Sequence, residues 1–172
     1  LAFGAPSLKG RALRCLAQRE HSRAEVARKL ARHALDVKDG PDCITTEQID
    51  RVLDELSALG LLSEERAAQS VLNGQGQRYG IRKLKQTLQA KGLPAPLVAS
   101  TLQQARTTEL ERARAVWQRR FGTPTVEPSE KARQMRFLAA RGFEGDIIRR
   151  VVAGGDALAD AHAHADTDSD PA

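Results

Sequence analysis

A chain of 172 residues that is 41% hydrophobic but only 3% aromatic must fill its interior with aliphatic side chains, which favours helices over sandwiches and barrels. No apolar run approaches the roughly 18 residues of a membrane span and no signal peptide opens the chain, so a soluble cytoplasmic protein is expected. The net charge is +5, but residues 156–172, DALADAHAHADTDSDPA, hold five Asp and no Lys or Arg, so the body before them carries +10.

Residues 1–10 read as a lead-in, and the helical pattern opens with ALRCLAQREHSRAEVARKL. Within it, Ser22 and Glu25 have the S-x-x-E spacing of a capping box. Leu30 and Leu35 mark the end of that helix with no glycine between them, and the loop VKDGPDCITTEQ follows. Thr45 and Gln48 form a second box, opening a helix on Ile49, Leu53 and Leu56. Gly60 then stands between Leu56 and Leu61 as the left-handed residue of a Schellman stop.

Ser63 is placed to cap the helix EERAAQSVL. GQGQRYG, residues 74–80, has the glycines of a nucleotide loop but leaves a helix rather than a strand, so it reads as a flexible basic connection. In the next helix Ile81, Leu84 and Leu88 recur at helical spacing before Gly92 and Leu93, and Pro96 suits the first turn of the helix after it. Thr108 and Glu111 have box spacing, and Val116, Trp117 and Phe121 fall where a helix packs them inside, which makes Trp117 a wedge rather than a base-stacking platform. Pro128 and Ser129 open the helix that ends at Leu138, Gly142 and Phe143.

Leu88, Gly92, Leu93, Val98 and Leu102 stand at the same mutual offsets as Leu138, Gly142, Phe143, Ile148 and Val152. About nine short helices in three diverged copies of one unit result, at 11–62, 63–106 and 107–154, with 155–172 as a disordered acidic tail. The fold class expected is all-α.

Catalytic and metal chemistry find little footing. The chain lacks a G-x-x-x-x-G-K-[ST] loop, an H-E-x-x-H helix and a G-x-S-x-G elbow. Glu20 and His21 adjoin on a bend where their side chains diverge, so they make a poor acid–base pair. Cys15 and Cys43 are isolated, and His162 and His164 sit in the acidic tail, too few to hold a metal. No cofactor, metal or catalytic activity is expected.

Four stretches in order, ALRCLAQREHSRAEVARKL, IDRVLDELSALGLLSEERAAQSV, YGIRKLKQTLQAKGL and KARQMRFLAARGFEGDIIRRV, resemble the successive motifs of the RecX regulatory proteins of bacteria, over about residues 11–152. Departures from the family pattern are Ala67 in place of an aromatic, the long loop VKDGPDCITTEQ and the acidic tail. The resemblance implies three tandem three-helix units in an elongated, curved molecule whose partner is the RecA recombinase filament on DNA. It further implies restraint of filament growth, strand exchange and coprotease activity.

The cations for such a partner are read from the outer helix faces: Arg28 and Lys29 in the first repeat, Arg82, Lys83 and Lys85 in the second, and Arg133, Arg136, Arg141, Arg149 and Arg150 in the third. A monomer is expected, with weak, salt-sensitive DNA contact. The alternative is a helix-turn-helix module acting directly on DNA. Its reading helix would carry Glu47, Asp50, Asp54 and Glu55 against Arg51, a field that repels phosphate.

Overall fold

The computed structural model describes residues 6–36 and 44–154. These residues form nine α-helices and no strand: α1 Leu8–Leu16, α2 Arg23–Asp36, α3 Thr46–Ala58, α4 Glu64–Gln75, α5 Ile81–Ala90, α6 Ala95–Arg106, α7 Glu109–Arg120, α8 Pro128–Ala140 and α9 Gly145–Val152. Cys43, the inner part of the loop after α2, and the tail with His162 and His164 lie outside the described residues. None of the described helices is long and apolar enough to cross a membrane.

Two compact units are present. One combines residues up to Val71 with Gln86–Thr101, and the other combines Leu72–Lys85 with residues from Leu102 onward. In the first, α1, α2 and α3 pack around Ala12, Val26, Leu30, Ile49, Leu53, Leu56 and Leu62. In the second, α7, α8 and α9 enclose Ala113, Val116, Trp117, Leu138, Phe143, Ile148, Val151 and Val152. Trp117 is indeed interior, its indole N–H donating to Gln134 Oε1 at 2.8 Å.

The glycine stops have the hydrogen bonds that the sequence leads one to expect. Gly60, Gly92 and Gly142 have φ of 69°, 75° and 78°. After each, the next amide reaches back to the buried leucine's carbonyl: Leu61 to Leu56 at 2.9 Å, Leu93 to Leu88 at 3.4 Å, Phe143 to Leu138 at 3.4 Å. The first stop differs in packing, because Leu61 is 45% exposed and Leu62 is the residue that turns inward. Leu35, expected to help close α2, is 65% exposed, so its position sets no apolar stop.

Ser22 with Glu25 and Thr45 with Gln48 both form complete capping boxes, and the Ser63 hydroxyl accepts from the Arg66 amide at 3.2 Å. The Thr108–Glu111 box does not form. Thr108 has φ −112° and ψ 9° instead of extended backbone, and its hydroxyl donates back to the Ala105 carbonyl. Glu109, one residue on, caps other helices instead. The 74–80 connection is also less free than expected: Gly76 and Gly80 are buried, and the Gly80 amide donates to the Arg141 carbonyl at 3.0 Å.

Candidate partner-binding site

The repeat frame relates the side chains at the points where helices dock. Superposing the helices through Leu30, Leu88 and Leu138 matches Ser22 with Gly80, Glu25 with Lys83, and Lys91 with Arg141. In the first compact unit the Ser22 hydroxyl donates to the Lys91 carbonyl, and Lys91 Nζ donates to Glu25 at 2.8 Å. In the second, where the matching side chains are two cations, backbone performs the docking: Gly80 donates to the Arg141 carbonyl and Arg82 to the Gly142 carbonyl, both at 3.0 Å.

A first-turn glutamate completes each docking point. Glu64, opening α4, accepts from the Arg23 amide at 2.9 Å; Glu109, opening α7, accepts from the Ile81 amide at 3.1 Å and the Glu144 amide at 3.3 Å. Burial pushes both carboxyls above their ordinary range, only partly opposed by these N–H groups. Beside Glu109, Arg112 donates to the carbonyls of Gly76, Tyr79 and Ala105 at 2.6, 2.7 and 2.6 Å. Burial lowers the guanidinium's pKa, with the Glu109 charge opposing. Glu25 behaves differently. Burial disfavours its charge, but hydrogen bonds from Lys91, Ser22 and Arg19 outweigh that and hold the carboxyl at about 2.

Against this scaffold most of the expected partner-binding cations are exposed on their helices: Arg28, Lys29, Arg82, Lys83, Lys85, Arg133, Arg136, Arg149 and Arg150. Arg28 donates to the carbonyls of Ala24 and Ala90, Lys29 to His21 Nε2 at 2.8 Å, and Arg133 pairs with Glu130 at 3.2 Å. Arg141 departs furthest from an outer-face position, being half-buried with its guanidinium carbon 3.7 Å from the Phe137 ring centroid. The acidic face of α3 is partly occupied by Arg23, which pairs with Asp54 at 2.8 Å and Asp50 at 3.4 Å.

Arg141 belongs to a grouping that the linear pattern hides. Arg78, Arg119, Arg120 and Arg141 converge with Tyr79 and Phe137 on an open cleft of about 780 Å³ in the second compact unit. Arg119 and Arg120 lie on the last turn of α7, Arg78 lies on the turn before α5, and Arg141 caps α8. Among the described residues, no group of three or more His, Cys, Asp or Glu is placed to hold a metal ion.

Repeated three-helix elements, with cations exposed on α5, α8 and α9, define an all-helical tandem-repeat protein. The family description "RecX, third three-helix domain" matches residues 107–152. A regulatory protein RecX of Leptothrix cholodnii is 51% identical over 146 residues, which cover 85% of this chain and 87% of that one. Another, from Ralstonia nicotianae, is 42% identical, covering 90% and 91%. This chain belongs to the RecX family of regulatory proteins. The fold agrees: the crystal structure of RecX from Lactobacillus salivarius superposes with a TM-score of 0.69 at 19% identity, covering 87% of this chain and 95% of that one.

Proposed function

We propose that this chain binds the RecA recombinase on DNA and restrains filament growth, strand exchange, ATP hydrolysis and coprotease activity, so modulating DNA repair and the SOS response. It acts in the cytoplasm as a monomer, by binding rather than by catalysis, through three repeats at 11–62, 63–106 and 107–154. What carries this reading is the 51% identity to a regulatory protein RecX across 85% of the chain. The exposed cations of α5, α8 and α9 are the groups best suited to an anionic partner surface.

Arg28, Lys29, Arg82, Lys83, Lys85, Arg133, Arg136, Arg149 and Arg150 make these contacts, with each repeat adding a weak one. Charge reversal at Arg82 and Lys85, and separately at Arg133 and Arg136, tests the reading through DNA-dependent RecA ATPase. Each pair should weaken inhibition with unchanged circular dichroism. The combination should cost much more than either, because linked weak contacts reinforce one another through effective concentration. Folded variants that inhibit as well as the parent would show that these faces are solvated surface only.

A further inference from the structure

The cleft of Arg78, Arg119, Arg120 and Arg141 has no counterpart elsewhere in the repeat. The positions matching Arg78, Phe137 and Arg141 are Glu20, Thr87 and Lys91, and aligning α4 on α7 through Glu64 and Glu109 sets Gly74 and Gln75 against Arg119 and Arg120. Three of the four arginines therefore stand where the matching position carries no cation, and the fourth, Arg141, stands where it carries Lys91. Two of them, Arg119 and Arg120, complement the negative end of α7, but that role does not explain Arg78, on the turn before α5, or Arg141, at the end of α8.

Their electrostatic situation calls for an anion. Among the described residues none of the four forms an ion pair with a carboxylate, and no Asp or Glu lines the cleft. Like charges gathered in one concavity focus a positive potential that a ligand with several negative charges would relieve. Arg141 is already oriented: its guanidinium stacks on Phe137 and donates to the Phe137 carbonyl at 3.4 Å, so less side-chain freedom is lost when it binds.

We propose that this cleft binds a short run of single-stranded nucleic acid, with the arginines on successive phosphates and the strand passing along the Tyr79 wall. Guanidinium forks match phosphate oxygens bidentately. The volume of about 780 Å³ suits a flexible strand entering the cleft, whereas a duplex, with a major groove alone about 12 Å wide, would meet only its rim. An extended acidic peptide fits less well, because walls made of helices and turns offer no strand edge to pair its backbone. The site does not depend on the recombinase, and its test uses none.

Binding of the whole chain to a fluorescein-labelled oligothymidylate, followed by anisotropy across a salt series, decides the matter. The double variant R119A/R120A should lose about tenfold in affinity at low salt, and its slope of log K against log salt should flatten by about 1.4, the release expected for two single-strand phosphates. R78A should lose about threefold. The control R14A/R32A, which removes the same charge from exposed positions outside the cleft, should change affinity less than twofold. Equal losses in control and cleft variants would overturn the proposal in favour of diffuse attraction. Displacement of the oligonucleotide by polyaspartate at equal charge would assign the cleft to an acidic protein segment. Displacement by ATP at equal concentration would assign it to a free nucleotide. A duplex that binds as tightly as the single strand and loses as much in R119A/R120A would also refute it.

Discussion

The docking points at Gly92 and Gly142 perform one task with different chemistry. At Gly92 the contact runs through side chains: the Ser22 hydroxyl meets a carbonyl, and Glu25 and Lys91 form an ion pair. At Gly142 it runs through backbone: Gly80 has no side chain, and the amides of Gly80 and Arg82 reach the carbonyls directly. The carboxylates differ as well. Glu109 bonds two amides, whereas the position matching Glu144 is Pro94, which has no N–H, and Glu64 Oε2 is buried without a partner. A repeat can thus keep its geometry while exchanging the bonds that maintain it, even where one buried acceptor is left without a partner.

Adding a methyl group at each point separates the two most sharply. A Cβ at residue 80 would lie 2.3 Å from the Phe143 Cα and amide nitrogen, so Gly80→Ala must move backbone and should cost about 3 kcal/mol or more in a denaturation series. Gly142→Ala meets the Lys83 amide nitrogen at 2.5 Å on top of a positive φ and should cost nearly as much. Gly92→Ala meets only the Ala24 methyl, at 2.7 Å, and should cost about 2 kcal/mol by the same overpacking argument. Gly60→Ala meets nothing within 4 Å and should show the bare conformational cost, about 1 kcal/mol. Equal losses at Gly60, Gly92 and Gly142, which share a positive φ, would mean that φ alone decides among them.

Acid should act on Glu25 and Glu109 in opposite directions. The Glu25 carboxyl is lowered from 4.5 to about 2, so its stabilisation is present above pH 4.5 and is lost as pH falls toward 2. Glu25→Gln should remove up to about 3 kcal/mol at pH 7 and nothing at the acid end of that window. A parent-minus-variant difference that is flat between pH 5 and 2.5 would contradict the ion-pair account.

Ser22→Ala takes away one helix cap and the donor to the Lys91 carbonyl together, and should cost about 1.5 kcal/mol in chemical denaturation. A neutral substitution would show that water replaces the hydroxyl.

The smallest effect is expected at Glu109. Its carboxyl is raised by burial, so its contribution is fully present below pH 4.5 and is lost as pH rises through the raised value. Glu109→Gln keeps the acceptor for Ile81 and Glu144 without the buried charge. It should leave stability at pH 7 unchanged or up to about 1 kcal/mol higher, with a flatter pH dependence. A variant less stable at pH 7 and equal at pH 4 would show that the ionised form is the one the fold prefers.

Local signals were legible because they are covalently close. The stops at Gly60, Gly92 and Gly142, the boxes at Ser22 and Thr45, and the inward-facing Leu88, Val98, Leu138 and Ile148 all follow from spacing within a turn or two of helix. The Thr108 box misled because two adjacent glutamates competed: the spacing favours Glu111, but a buried pair of amides far away in sequence recruits Glu109. Arg141 was legible as a cation and not as a stacked one, since Phe137 lies one turn back and only the rotamer brings the two together.

The sequence by itself determined the helices, most of their stops and the repeat, because periodicity and capping are local and survive divergence; the family was legible in four motifs that resemble RecX in order. Tertiary structure decided which charges are exposed and which are spent. It placed Arg78 and Arg141 on one cleft with Arg119 and Arg120, turned Gly80 from a loop residue into a point of backbone contact, and gave Glu109 its partners. These groups come from separate helices and turns, and their distances depend on how the helices pack, which no spacing along the chain encodes.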